Sequence, residues 1–262
     1  MYNFEIEKPA TIDDAVAALT SDEAQALAGG QTLIPTLKAR LAAPEKLISL
    51  TGISELRGIS TDQTGRICIG AGTTHTAVAS GAGAYPALAA LAGQIGDVAV
   101  RNRGTIGGSV ANNDPSACYP AAVLASGAVI VTNAREIGAD DFFEGMFTTA
   151  LEEGEIVTQV RFPVPQQAAY VKFKQPASRF ALVGVFVARF ADGVRVAVTG
   201  ASEEGVFRWA EAEEALSGDF SADALDGLSA SADGLIGDAH GTPQYRAHLI
   251  GVMAARAVQA AK

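Results

Sequence analysis

Two glycine pairs fix where this chain must bend and come close to something else. Gly29-Gly30 ends the apolar run Ala24–Ala28, and Gly107-Gly108 lies within Arg101-Asn102-Arg103-Gly104-Thr105-Ile106-Gly107-Gly108-Ser109. Glycine has no Cβ, so a Gly-Gly step turns sharply and can point successive backbone N–H groups at an anion. A phosphate needs such donors, small residues for close approach, and often a hydroxyl. Both strings carry that set: Ala28, Gly29, Gly30, Gln31 and Thr32 in one, Thr105, Ile106, Gly107, Gly108 and Ser109 in the other. Two such bends suit the two halves of a diphosphate, which points to a dinucleotide. Each pair is equally a plain tight turn, and composition leaves both readings open.

The 262 residues suffice for one large domain or two modest ones, and 48% of them are hydrophobic. Nineteen basic against twenty-nine acidic residues give a net charge of −10. That surface repels phosphate backbones, which argues against a nucleic-acid partner and leaves any bound diphosphate to local donors. Cys68 and Cys118 form no CxxC or cluster, so this chain alone does not ligate an iron–sulfur cluster. Both are read as free thiols. His75, His240 and His248 have no metal-ligand spacing. The N-terminus has neither basic nor apolar signal-peptide regions. The longest apolar run, around Ala121–Val131, falls short of the ~20 residues that span a bilayer. The sequence therefore predicts a soluble, cytoplasmic protein with no membrane span.

Thr11-Ile12-Asp13-Asp14 reads as a capping box opening a helix through Leu19. Ala24–Ala28 and Lys46–Leu50 read as strands, and Pro35 with Leu33, Leu37 and Leu41 reads as a helix between them. Gly58–Gly72 predicts a hairpin turning at Gln63-Thr64-Gly65. Helices follow Thr73-Thr74 and cover Pro86–Ile95 and Ala121–Ala125, with strands at Val129–Val131 and Glu155–Phe162. Pro163 and Pro165 mark a domain boundary. Three strand-like segments come next, Ala169–Lys174, Ala181–Phe190 and Val194–Gly200. Helical stretches at Trp209–Leu216, Ala222–Leu228 and Gln244–Ala261 complete the chain. Strands and helices mixed without strict alternation predict an α+β fold.

The full strings carry more than the glycines. Ala28-Gly29-Gly30-Gln31-Thr32-Leu33-Ile34-Pro35 through Leu41 resembles the first flavin-binding loop of the FAD subunits of molybdenum hydroxylases. The stretch from Ile95-Gly96-Asp97 through Gly104-Thr105-Ile106-Gly107-Gly108-Ser109 to Asn113-Asp114-Pro115 resembles the second, and is the most specific piece. Ile69-Gly70-Ala71-Gly72-Thr73-Thr74-His75 is also similar to a family segment, as are Asp141-Phe142-Phe143 and Thr148–Ile156. Phe180–Val185 and Tyr245–Leu249 resemble marks of the C-terminal domain. The resemblance covers nearly the whole chain in order.

It implies a PCMH-type FAD-binding fold over residues 1–164, built of two α/β subdomains, about 1–55 and 56–164. A small C-terminal α+β domain over 165–262, with a three-stranded antiparallel sheet and helices, follows. It also implies the medium subunit of an enzyme of the carbon monoxide dehydrogenase and xanthine dehydrogenase type, with non-covalent FAD. The iron–sulfur clusters belong to a small partner chain and the molybdenum cofactor to a large one, in a dimer of heterotrimers. Electrons reach FAD from the clusters and leave to an external acceptor. By position, Ala28–Thr32 and Thr105–Ser109 hold the diphosphate and ribityl, with Asp114 nearby and Thr73 and Thr74 as further contacts. A flavin performs its own redox chemistry, so no protein acid or base is named.

Four positions depart from the family pattern: Cys118 and Arg179 stand where acidic residues are common, and Gln175-Pro176 where basic ones are. With no neighbouring cation visible in the sequence, Cys118 is read as a small filler. Tyr170, Phe173 and Phe180 are read as core, His240 and His248 as surface or packing residues, and Leu249, Met253 and Val258 as a core or partner-facing stripe. Arg101 and Arg103 are open between phosphate binding, a partner contact and a salt bridge. Two other functions stay in view: a free-standing FAD oxidase, whose usual histidine tether Gln31 does not supply, and a non-catalytic nucleotide-binding assembly module.

Overall fold

The Thr11 hydroxyl accepts the Asp14 N–H at 3.1 Å and starts α1 (Ile12–Leu19), as its capping pattern predicts. The computed structural model describes residues 1–262. α1 follows β1 (Glu5–Glu7) and precedes β2 (Ala24–Leu27), α2 (Leu33–Lys38) and β3 (Lys46–Ser49). These strands form a parallel sheet in the order β1-β3-β2. Ala15, Leu19, Ile48, Ile53 and Leu56 close its small core. α2 is shorter than its leucine spacing suggests. Arg40 takes a positive φ of 59°, and Leu41 is left exposed.

The next unit opens with β4 (Ile59–Thr61) and β5 (Ile67–Gly70), the predicted hairpin. Asp62 clamps its turn by accepting from the Thr64 N–H at 2.9 Å and the Thr64 hydroxyl at 2.7 Å. Five short helices follow: α3 (His75–Gly81), α4 (Pro86–Gly93), α5 (Val98–Arg103), α6 (Ile106–Asn112) and α7 (Tyr119–Ala125). Then come β6 (Val129–Thr132), β7 (Glu136–Gly138), α8 (Ala139–Phe142), β8 (Phe143–Gly145), β9 (Thr148–Thr149) and β10 (Val157–Phe162). Five of these strands make an antiparallel sheet, β4-β5-β10-β6-β7. Its core runs through Ile69, Leu88, Val110, Tyr119, Phe142 and Phe162.

The last unit holds β11 (Gln167–Lys174), β12 (Ala181–Phe190), β13 (Gly193–Ser202), β14 (Gly205–Arg208), α9 (Ala210–Gly218) and α10 (Pro243–Ala260). Its antiparallel sheet has four strands, not the three expected. Ser202 pairs with Gly205 across a tight turn at Glu203-Glu204, and the four-residue β14 is too short to show a period. The helix expected over Ala222–Leu228 is only a 3₁₀ turn at Ala222–Leu225. β12 is buried without interruption from Ala181 to Ala188, because α7 covers one face of the sheet and α10 the other. A strand covered on both faces has no polar side to alternate with, hence its unbroken apolar sequence. Leu249, Met253 and Val258 of α10 are buried in this core. No helix of the chain is long and apolar enough to cross a membrane.

Candidate cofactor-binding cleft

The parallel sheet and the antiparallel sheet meet at a cleft of about 760 Å³. Its walls come from five places. Ala28 and Gly29 follow β2, Leu50 and Thr51 follow β3, and Arg57, Gly58 and Ile59 lead into β4. Gly72, Thr73, Thr74 and Ala77 join β5 to α3, and Asn102, Arg103 and Thr105 span the junction of α5 and α6. Two walls thus sit at the carboxyl ends of parallel strands, where open sheets gather ligands. That rule is the signal by which Leu50 and Thr51 were legible, but the sequence reading overlooked them along with Arg57.

The first glycine string behaves as its composition predicts. Gly30 adopts a φ of +70°, which side-chain-bearing residues rarely take. None of the backbone N–H groups from Ala28 through Thr32 donates to a backbone carbonyl, so five successive donors stand unspent, those of Ala28 and Gly29 on the cleft lining and those of Gly30, Gln31 and Thr32 just beyond it in the chain. Gln31 is exposed, and its amide donates to the Gly29 carbonyl at 3.2 Å. A methyl group on Gly29 would collide with the Arg103 carbonyl oxygen and lie 2.8 Å from the Gly104 Cα. The two strings, far apart in sequence, are therefore packed backbone to backbone.

The second string is a correction. It is not a bend: Gly107 and Gly108 form the first turn of α6, capped by Thr105. Their N–H groups are already used, Gly107 donating to the Ala71 carbonyl at 2.9 Å and Gly108 to the Thr105 hydroxyl at 3.2 Å. Ile106, fully buried, donates to the Thr73 carbonyl at 3.1 Å. What these glycines supply is closeness. A Cβ on Gly107 would strike Ala71, and one on Gly108 would stand 3.4 Å from the Ala28 methyl. Glycine disfavours helix interiors by roughly 1 kcal/mol, so the helix was not readable from propensity, and tertiary packing decided it.

The remaining expected residues divide. Thr73 and Thr74 line the cleft, but their hydroxyls already serve the fold. Thr73 Oγ1 bridges the Gly58 N–H and carbonyl, and Thr74 Oγ1 caps α3. Ser109 is half-buried on α6. Asp114 lies outside the cleft lining, accepting the Ser116 N–H at 2.8 Å in the turn before α7. Arg101 donates to the carbonyls of Ile95 and Gly96, whereas Arg103 stands exposed on the cleft wall. Arg57 donates to the Thr51 carbonyl across the opposite wall. Two guanidinium groups thus offset the acidic charge of the chain locally.

His75, the first residue of α3, is buried behind this wall. Its N–H donates to the Gly104 carbonyl at 2.9 Å, its ring lies 5.3 Å from the Tyr119 ring, and its Nδ1 has no partner. Burial, helped by the Arg101 charge, pushes its pKa down to about 4, so the ring is neutral near neutral pH. His240 and His248 are exposed. Tyr170 is buried as expected, but Phe173 and Phe180 are not core: they are 38% and 51% exposed on the β11–β12 hairpin. Cys118 is buried in the core as a filler would be, but a cation invisible in the sequence stands beside it: Lys172 Nζ donates to its sulfur at 3.3 Å.

Comparison with known proteins agrees over the whole length. The family described as the FAD binding domain in molybdopterin dehydrogenase matches residues 2–165. The carbon monoxide dehydrogenase medium chain of Afipia carboxidovorans is 36% identical over 99% of this chain and 97% of its own. The nicotine 6-hydroxylase medium subunit of Paenarthrobacter nicotinovorans is 33% identical over 92% and 91%. Among solved structures, reconstituted CO dehydrogenase from Oligotropha carboxidovorans superposes with a TM-score of 0.88 at 33% identity, covering 98% of this chain and 97% of that one. Quinoline 2-oxidoreductase from Pseudomonas putida 86 does so with a TM-score of 0.87 at 29% identity, covering 99% and 96%. With a domain profile over most of its length and relatives matching end to end, the chain belongs to the family of FAD-binding domains of molybdopterin dehydrogenases.

Proposed function

We propose that this chain is the FAD-binding electron-transfer subunit of a molybdenum-containing hydroxylase or dehydrogenase. The relatives it matches are medium or FAD subunits of such oxidoreductases, and the chain is an oxidoreductase subunit of that kind. The single observation that carries the site assignment is the run of five unspent N–H donors from Ala28 to Thr32, which begins on the cleft wall at Ala28 and Gly29, where only glycine allows the close approach. A diphosphate is the group those donors fit. Ala28, Gly29, Gly30, Gln31 and Thr32 bind it through the backbone, while Arg57 and Arg103 compensate its charge. Thr73, Thr74, Thr105, Ile106, Gly107, Gly108 and Ser109 hold the opposite wall at the right distance, and Asp114 stiffens the turn that follows α6. Bound FAD accepts electrons singly or in pairs and releases them either way. In this reading residues 1–164 hold the cofactor and 165–262 cover it.

The electrons come from the iron–sulfur clusters of a small partner chain, after hydroxylation at molybdenum on a large one, and leave to an external acceptor. The chains assemble as a dimer of heterotrimers in the cytoplasm. An absorption spectrum of the purified protein tests the cofactor assignment. Flavin bands whose chromophore is released by acid support it. A chromophore that stays with the acid precipitate would favour a free-standing, tethered oxidase. A colourless protein that takes up no added FAD would leave an assembly module as the better account. The chains that co-purify with this one test the partners.

A further inference from the structure

The two cysteines of this chain are about equally buried, Cys118 at 5% and Cys68 at 6% exposure, yet their surroundings differ. Cys68 Sγ lies 3.8 Å from the Arg66 carbonyl, and burial pushes its thiol above the ordinary value. Cys118, at the start of α7, accepts a hydrogen bond from Lys172 Nζ on β11 at 3.3 Å. Lys172 is itself 8% exposed, its other partner is the Arg179 carbonyl at 2.9 Å, and it forms an ion pair with no carboxylate. A buried ammonium without an anion is costly.

Two phenols sit beside the sulfur. Tyr119 and Tyr170 are 0% and 6% exposed, and both hydroxyls lack partners. Burial first, and the adjacent Cys118 second, push both phenols well above their usual range, so they stay neutral. The sulfur is the side-chain acceptor that faces the Lys172 ammonium. The unpartnered hydroxyls are spare hydrogen-bonding capacity for one more oxygen atom.

We propose that Cys118 and Lys172 form a peroxide-reactive thiol site at the seam between the flavin-binding part of the chain and its C-terminal sheet. The sulfur attacks one oxygen of hydrogen peroxide. An S–O bond forms, the O–O bond breaks, and the sulfur loses two electrons to become a sulfenic acid. The departing hydroxide takes the proton that the thiol gave up and leaves as water. Lys172 stabilises the attacking sulfur, and Tyr119 and Tyr170 accommodate the new oxygen. The inference does not depend on the flavin assignment, because the oxidant is supplied in the test.

The purified protein, with whatever flavin it carries, is exposed to hydrogen peroxide, sulfenic acid is trapped with dimedone, and both cysteine peptides are followed by mass spectrometry. Cys118 is expected to label about tenfold faster than Cys68, and Lys172→Met to erase that advantage while Lys172→Arg keeps most of it. Equal labelling of the two wild-type cysteines overturns the proposal, as does a wild-type rate in a folded Lys172→Met protein. The wild-type ratio needs no variant, so it decides the case even if Lys172→Met does not fold.

Discussion

His75 shows at the scale of one residue how a cofactor wall is coupled to pH. Its folded-state value of about 4 lies below the ordinary 6.5, so the unfolded chain takes up the proton first as pH falls. Stability is full above about pH 6.5 and is lost between there and pH 4, by about 3 kcal/mol. Thermal melting from pH 7 to pH 5 should fall more steeply for the wild type than for His75→Phe; parallel slopes would remove His75 from the account. Gly108 carries a second prediction. A side chain there meets the Thr105 hydroxyl at 2.9 Å and the Ala28 methyl at 3.4 Å. In Gly108→Asp the carboxylate also brings negative charge to the wall proposed to hold a diphosphate. FAD content, read as flavin absorbance per protein, should collapse while the far-ultraviolet circular dichroism is kept. Normal flavin occupancy would refute the assignment of this wall.

At the scale of elements, the approach of the first loop to α5 and α6 is the contact that makes the cleft. Gly29 and Gly107 guard it from opposite sides, and a methyl group on either should strain it. Gly107→Ala drives a methyl into Ala71, 2.8 Å from its Cα, in a fully packed interior. Overpacking of that kind costs about 1–3 kcal/mol, so its melting temperature should drop along with its flavin content. Gly29 is buried as well, and Gly29→Ala drives a methyl into the Arg103 backbone carbonyl, so its melting temperature and FAD affinity should also fall together. A wild-type melting temperature in either variant would contradict the close approach described at that glycine. The helix α6 also explains why the second glycine string was misread: Ile106, Val110 and Ala111 pack inward and hold a turn that glycine alone disfavours.

At the scale of the whole molecule, the C-terminal sheet is the plate against which α4, α7, α9 and α10 pack. α7 leans on one face and α10 on the other, and Thr199 Oγ1 ties the sheet to the Pro115 and Ala117 carbonyls at 2.7 Å each. Arg246 locks the far side. It is 3% exposed and donates at 2.8 Å to the carbonyls of Leu182 and Gly200, and at 2.7 Å to Asp238. Arg246→Met strands those buried acceptors, which should cost about 2–3 kcal/mol. A lower urea midpoint with unchanged flavin content in the folded protein is the expected result. A loss of flavin before any unfolding would mean that the sheet shapes the cleft directly.

Local signals were enough for much of this protein. The Thr11 cap, the Asp62 hairpin, the apolar run of β12 and the donor-rich bend at Gly29-Gly30 rest on neighbours within a few residues, and each was readable as written. What the sequence could not determine depends on residues that meet only after folding. Gly107 and Gly108 became a helix because Ala71 and Ala28 wait beside them. Arg57 reached the cleft because two sheets converge there, and Cys118 acquired a cation that lies 54 positions away in the chain. Short-range hydrogen bonding and side-chain periodicity are written along the chain, whereas close approach and charge pairing are set by which distant surfaces the core brings together.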